Sequence, residues 1–253
     1  MNVTVSKTSL VNTQTDAVVV TVFEEEPTLF STTRALDEAC GGILSHHLQT
    51  GDFQAKPGQT SILYVNRSSR LLRILVVGLG KRKTFKRDVF RAAVARAAQQ
   101  VRSLRLTSFA MGLNSGDLEI SPCDLAEAAV EGALLSLYQF TACKTMNLEQ
   151  FHQVREMVLC EENRTDRSEI TAGVEYARTV CDAVLFVRDL VSMPANRMTP
   201  THLALAAQGL CRGRKSLTCR ILDESRMKKL GMNALLGVAR GSEEPPRFII
   251  LEY

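Results

Sequence analysis

The chain has 253 residues, 45% of them apolar and 23% charged, with a net charge of +4. That composition is ordinary for a globular protein of one large or two smaller domains, and it excludes collagen-like and low-complexity chains. No run approaches the roughly 18 apolar residues of a membrane span. The N-terminal Met-Asn-Val-Thr-Val-Ser-Lys lacks a basic stretch followed by an apolar core, so no secretory signal is visible. Seven scattered cysteines, Cys40, Cys123, Cys143, Cys160, Cys181, Cys211 and Cys219, include no Cys-x-x-Cys pair. Reduced thiols in a cytoplasm are expected from that pattern, rather than a disulfide framework or a zinc ribbon.

The first half alternates strands and helices. Residues 16–23 form a nearly continuous apolar run, the pattern of a strand buried on both faces. A helix is expected over 32–48, weakened in its middle by Gly41 and Gly42. Strands follow at 60–65 and 71–77, separated by a polar turn over 66–70. In 86–104 the apolar residues Phe90, Val94, Ala97, Ala98, Val101 and Leu104 recur at helical spacing and define one buried face. A short strand is expected at 107–111. Ser121-Pro122 then joins a hydroxyl cap to a proline at the first helical position and opens a helix over 124–140. A strand at 153–160 closes this half. Strands alternating with helices indicate an α/β domain with a mixed, largely parallel sheet.

The polar cluster at 160–168 marks the best domain boundary, giving domains over 1–163 and 164–253. Beyond it a long helix is expected over 169–192, stopped by Pro194. Thr199-Pro200 repeats the cap-plus-proline signature and starts a helix reaching Arg212. A strand at 216–222, a helix at 224–230 stopped by Gly231, and a strand at 247–253 complete the chain.

Few residues suggest chemistry. Val76-Val-Gly-Leu-Gly80-Lys-Arg-Lys83 follows a strand, as a phosphate-cradling loop would. It completes neither a dinucleotide fingerprint, since Lys83 replaces the third glycine, nor a P-loop, since Leu75 replaces the first. A tight strand-to-loop turn is the better reading. His46 and His47 are adjacent and diverge on a helix, while His152 and His202 lie far apart in sequence. The acidic pairs Glu161-Glu162 and Glu243-Glu244 sit in polar segments, and no serine-elbow motif occurs. From Arg67 to Arg105, twelve basic residues face one acid, Asp88. A solvated helix face explains most of this excess. The alternative is a nucleic-acid footprint centred on Lys81, Arg82, Lys83, Lys86, Arg87 and Arg91.

Three blocks resemble the leucyl aminopeptidase (cytosol aminopeptidase) family. Leu75-Val-Val-Gly-Leu-Gly-Lys81 and Glu131-Gly-Ala-Leu-Leu-Ser-Leu-Tyr-Gln-Phe140 are similar to its N-terminal domain. Val187-Arg-Asp-Leu-Val-Ser-Met-Pro-Ala-Asn-Arg-Met-Thr-Pro200 resembles the opening of its catalytic domain, with Ser192 where asparagine is usual. Residues 230–253 resemble the stretch that precedes its metal site. The resemblance implies a macrodomain-like N-terminal mixed sheet flanked by helices, a long linker helix and the opening part of an α/β catalytic domain.

It also implies a cytoplasmic, hexameric exopeptidase that removes N-terminal residues from peptides with two divalent ions, zinc or manganese. The family's metal-binding segments, of Gly-Lys-Gly-x-Thr-Phe-Asp and Asn-Thr-Asp-Ala-Glu-Gly-Arg type, have no counterpart among these residues. No catalytic residue, metal ligand or cofactor is therefore assigned here. The chain alone is expected to be inactive, with its final strand an exposed edge. Some bacterial members of the family bind DNA, which would make the basic cluster a regulatory, DNA-binding or oligomerisation surface. Macrodomains bind ADP-ribose, but Phe23-Glu-Glu-Glu26 stands where their asparagine-rich turn would be, so that ligand is not expected.

Overall fold

A computed structural model describes residues 1–24, 29–67, 70–114, 118–161 and 164–253, with Arg67, Arg70, Arg164 and Thr165 described by their backbone alone. Glu25, Glu26, Glu162 and the turn residues Ser68 and Ser69 lie outside the described residues. The chain divides into two compact units, Met1–Leu185 and Phe186–Tyr253.

Residues 1–185 are built on one six-stranded sheet. Its strands are β1 (Asn2–Ser6), β2 (Ala17–Val22), β3 (Thr60–Arg67), β4 (Arg70–Gly78), β5 (Ser108–Gly112) and β6 (Glu156–Cys160). Their order across the sheet is β1-β6-β5-β2-β4-β3. All neighbours run parallel except β3, which pairs antiparallel with β4 at one edge. This is the mixed, mostly parallel sheet that the alternating pattern predicts.

The apolar run at 16–23 becomes β2, all six of its residues buried. Its side chains alternate between two cores. Ala17 and Val19 join Leu75, Phe109, Met111 and Met157 on one face, while Val18, Val20 and Val22 join Ile74, Val76 and Ala110 on the other. A parallel strand covered on both faces must be apolar throughout, because neither face meets water.

Helices cover both faces. Helix α1 (Ser31–Ala39) and helix α2 (Ile43–Gln49) send Leu36 and Leu44 into the second core. The single helix expected over 32–48 is therefore two. Gly41 and Gly42 take φ of 73° and 78°, a left-handed conformation incompatible with a continuous helix. Asp37 then restarts the chain: its buried carboxylate accepts from Leu44 N at 2.7 Å and Ser45 N at 3.3 Å. The first core is closed by α3 (Arg87–Ser103), α4 (Pro122–Ser136) and the first half of α5 (Arg164–Ser192). Phe90, Val94, Ala97, Ala98 and Val101 of α3 are all buried, as their spacing predicts. Ser121 caps α4 by accepting from Asp124 N at 3.1 Å.

Two boundaries differ from expectation. Helix α4 ends at Ser136 rather than 140. Helix α5 begins at Arg164, inside the polar cluster, and the compact units divide within this helix at residue 185. Strand β1 carries too little signal to read from sequence, since only Val3 of its five residues is buried.

Residues 186–253 contain α6 (Pro200–Cys211), β7 (Thr218–Leu222), α7 (Glu224–Lys229), α8 (Asn233–Ala239) and β8 (Phe248–Glu252). Strands β7 and β8 pair antiparallel as a two-stranded sheet, with Arg220 opposite Ile250. Helix α6 packs on both strands. Thr199 and Asp223 cap α6 and α7, accepting from His202 N at 3.4 Å and Arg226 N at 2.9 Å. Helix α8, a short apolar segment with no buried residue, is not anticipated by the sequence pattern.

Candidate functional site

Five parallel strands place their carboxyl ends along one rim, where ligands of open α/β sheets collect. The loop after β4 is part of that rim. A Cβ on Gly78 would strike the backbone of Ala55 and Lys56, and one on Gly80 would lie 2.6 Å from Pro57 Cγ. Both glycines are thus required by the close crossing of residues 55–58. Their N–H groups are spent on protein: Gly78 N donates to Gln59 O at 2.9 Å and Gly80 N to Ala55 O at 2.9 Å. A phosphate cradle needs such donors free, so this segment is the tight turn that its sequence suggests.

The six basic residues proposed to contact nucleic acid do not form one bare surface. Lys81, Arg82 and Lys83 are exposed on the loop, and the Arg82 guanidinium sits 4.6 Å above the Phe23 ring. Phe23 is held edge-on to Phe30 and Phe85. Lys86 occupies the cap position of α3. Arg87 and Arg91 turn instead toward α4. Arg87 meets Glu127 at 2.7 Å, Glu131 at 3.3 Å and Asp124 at 3.6 Å, and Arg91 meets Glu131 at 3.2 Å and Asp88 at 3.0 Å. Positive charge at a helix start opposes the helix dipole, and these acids offset it. A cavity of about 420 Å³ beside them is lined by Arg82, Lys86 and Arg87 together with Glu119 and Asp124, so its charge is mixed.

Elsewhere on the rim, a cavity of about 400 Å³ lies at the ends of β1 and β6. It is lined by Thr8, Ser9, Ser31, Thr32, Cys160 and Glu161 together with the apolar Leu10, Val11 and Ala35. One carboxylate does not make an acid–base pair or a metal site. The histidines are dispersed. His47 lies against Phe53 at 5.8 Å, His152 Nε2 is 2.8 Å from Leu106 O, and His202 Nδ1 is 2.8 Å from Thr199 Oγ1. Among the described residues, no group of three or more His, Cys, Asp and Glu could hold a metal ion. The described residues therefore offer no donor set for a two-metal centre, and no catalytic step is assigned to them.

The titratable groups with displaced pKa values serve the fold. Partial burial disfavours the Asp16 carboxylate, yet donors from Thr107 and Ser108 outweigh it and hold its pKa below the ordinary value. Asp16 Oδ2 accepts from Thr107 N at 2.8 Å and Ser108 N at 3.0 Å, tying β2 to β5. The Ser225 hydroxyl, followed by Arg226 N, lowers the pKa of Asp223 at its cap position. Desolvation, with Glu127 next, pushes the Cys123 thiol up. Sequence reasoning passed over Asp16 and Asp37. Their only signal is an acid placed just before a strand or near a glycine pair.

Comparison with known proteins supplies what geometry leaves open. The N-terminal-domain model of the cytosol aminopeptidase family matches residues 19–147, and the catalytic-domain model of that family matches residues 185–253. The chain belongs to the cytosol aminopeptidase family. A probable cytosol aminopeptidase of Geobacter sp. strain M21 is 37% identical over 254 residues, covering 100% of this chain and 50% of that protein. The cytosol aminopeptidase of Pseudomonas aeruginosa strain PAO1 is 31% identical, covering 89% of this chain and 45% of its own.

A solved tomato leucine aminopeptidase mutant superimposes with a TM-score of 0.81 at 26% identity, over 99% of this chain and 50% of that one. The bottromycin maturation enzyme BotP, solved with Mn, shares the fold at a TM-score of 0.69 and 24% identity. This cytosol aminopeptidase family member thus spans about half the length of the curated relatives it matches. Its catalytic-domain match begins at residue 185, the last residue of the first compact unit.

Proposed function

We propose that this chain supplies the N-terminal domain and the opening part of the catalytic domain of a leucyl-type aminopeptidase. The activity inferred for the complete enzyme is removal of N-terminal residues from peptides in the cytoplasm. The observation that carries the reading is the ordered match of both family models to one chain. The likeness to the tomato enzyme over nearly the whole chain supports it.

Two divalent ions, zinc or manganese, would supply a metal-activated water and polarise the scissile carbonyl in the complete enzyme. The roles inferred for the residues present are structural. Residues 1–185 form a self-contained α/β body, and α6 with the β7–β8 pair begins the catalytic sheet. Assembly into a homo-oligomer, a hexamer by family resemblance, is part of the same reading. In this reading the 253-residue chain has no peptidase activity alone.

Equilibrium dialysis of the chain against zinc or manganese tests this directly. The expected result is no stoichiometric, tightly held ion. One or two ions retained per chain at micromolar free metal would contradict it.

A further inference from the structure

At the amino ends of β1 and β6, away from the rim, lies a cavity of about 330 Å³ whose lining falls entirely within residues 1–185. Its size is that of a small-molecule pocket. Met1 borders it just before β1, and residues 152–154 border it just before β6. Arg102, in the last turn of α3, faces the chain leaving α4 at Leu137 and Gln139. Two hydrogen bonds hold these walls together. Gln139 Nε2 donates to His152 O at 3.1 Å, and His152 Nε2 donates to Leu106 O at 2.8 Å.

The lining carries charge and acceptors of opposite sense. Arg102 is partly buried, and no Asp or Glu lines the cavity among the described residues. Its side chain makes one hydrogen bond among the described residues, a long one from Nη1 to Leu137 O at 3.4 Å, and no described acid pairs with it. A guanidinium has five N–H donors, so most of its capacity is unspent. Against it stands the carboxyl end of α4, where the last carbonyls carry partial negative charge. Leu137 O has a second lone pair, and the amide oxygen of Gln139 accepts nothing among the described residues. Leu134, Val154 and Leu185 complete the cavity with apolar surface.

We propose that this cavity binds a free apolar α-amino acid such as L-leucine. Arg102 takes the carboxylate, with the planar fork that suits two parallel N–H···O bonds. Leu137 O and the Gln139 amide oxygen take the ammonium, and the side chain lies against Leu134, Val154 and Leu185. A zwitterion fits this lining better than an ion of either sign. A plain anion would leave the carbonyl end of α4 unanswered, and a plain cation would be repelled by Arg102. The apolar surface in turn favours a branched side chain over glycine. The site uses residues 1–185 alone, so it stands whether or not the aminopeptidase reading does.

The test is calorimetric titration of the full, metal-free chain with L-leucine. Saturable binding at a single site per chain is expected. Leucinamide lacks the carboxylate, isocaproate lacks the ammonium and glycine lacks the side chain. Each should bind at least about tenfold more weakly than leucine. Arg102→Gln should weaken leucine binding by a similar factor with an unchanged circular dichroism spectrum, and the analogue series on the unaltered chain gives the same reading without any variant. Leucine should also slow amide exchange over residues 134–139 and 152–154. The proposal fails if millimolar leucine gives no saturable heat, or if leucinamide or isocaproate binds as tightly as leucine. Full affinity in folded Arg102→Gln, or protection confined to residues 186–253, would equally overturn it.

Discussion

In residues 1–185 a six-stranded sheet is covered on both faces, and Phe90, Phe109, Ile74, Leu75, Met111 and Met157 are all fully buried. In residues 186–253 the buried residues are Thr199, Ala204, Ala207 and Met227, and the sheet has two strands. Large apolar side chains stay in water there: Val191 is 79% exposed, Leu230 65% and Val238 88%. A two-stranded sheet on one helix is marginal by itself, because its apolar face has too little to pack against. One region thus carries a complete core, and the other carries the elements of a core without most of its interior. The first can fold as a unit. The second matches the family's catalytic-domain model, and the whole chain spans about half the length of the relatives it matches.

The largest test of this contrast compares core truncations. Phe109→Ala should destabilise residues 1–185 by about 3–5 kcal/mol, read from urea unfolding. Met227→Ala should cost less than about 2 kcal/mol, because its surroundings can collapse around the gap. Equal losses would mean that residues 186–253 are as tightly packed as the sheet domain.

Gly78→Ala comes next. The new Cβ meets the backbone of Ala55 and Lys56 rather than a movable side chain, so a loss of about 2–3 kcal/mol is expected. Asp37→Ala should cost about 1–2 kcal/mol by removing the buried cap of α2. Both are measurable as shifts in the urea midpoint.

Smaller effects sharpen the electrostatics. The folded pKa of Asp16 is depressed, so its stabilisation is present above the ordinary carboxylate value and disappears as pH falls through the folded value. Asp16→Asn should therefore flatten the stability profile below about pH 4 while leaving its shape near neutrality unchanged. Arg87→Ala should cost no more than about 1 kcal/mol, since the guanidinium is 37% exposed and its ion pairs are screened. Added salt should shrink that difference further, and a difference that grew with salt would exclude an ionic origin.

Much of the sheet domain was legible because its signals are local. The apolar run of β2, the periodic face of α3 and the Ser121-Pro122 start of α4 each sit within a few neighbouring residues. What escaped depends on residues far apart in sequence. The glutamate partners of Arg87 and Arg91 lie on α4, 40 and 44 residues away, so the basic cluster looked barer than it is. The break between α1 and α2 was visible as two glycines, but a glycine pair alone does not distinguish a weak helix from two helices. Helix α8 hides because it is short and almost wholly apolar, so no polar face marks a helical period. The family was readable in motif blocks.

The proposed function makes these residues part of an aminopeptidase whose metal ligands lie on other residues. Hydrolysis of leucine p-nitroanilide with added zinc or manganese tests it in two samples. One is the chain itself. The other is a chimera in which the chain replaces the first half of the Geobacter relative. The account predicts no turnover above background from the chain and metal-dependent turnover from the chimera. Metal-dependent turnover by the chain alone, or a folded chimera without any, would contradict it.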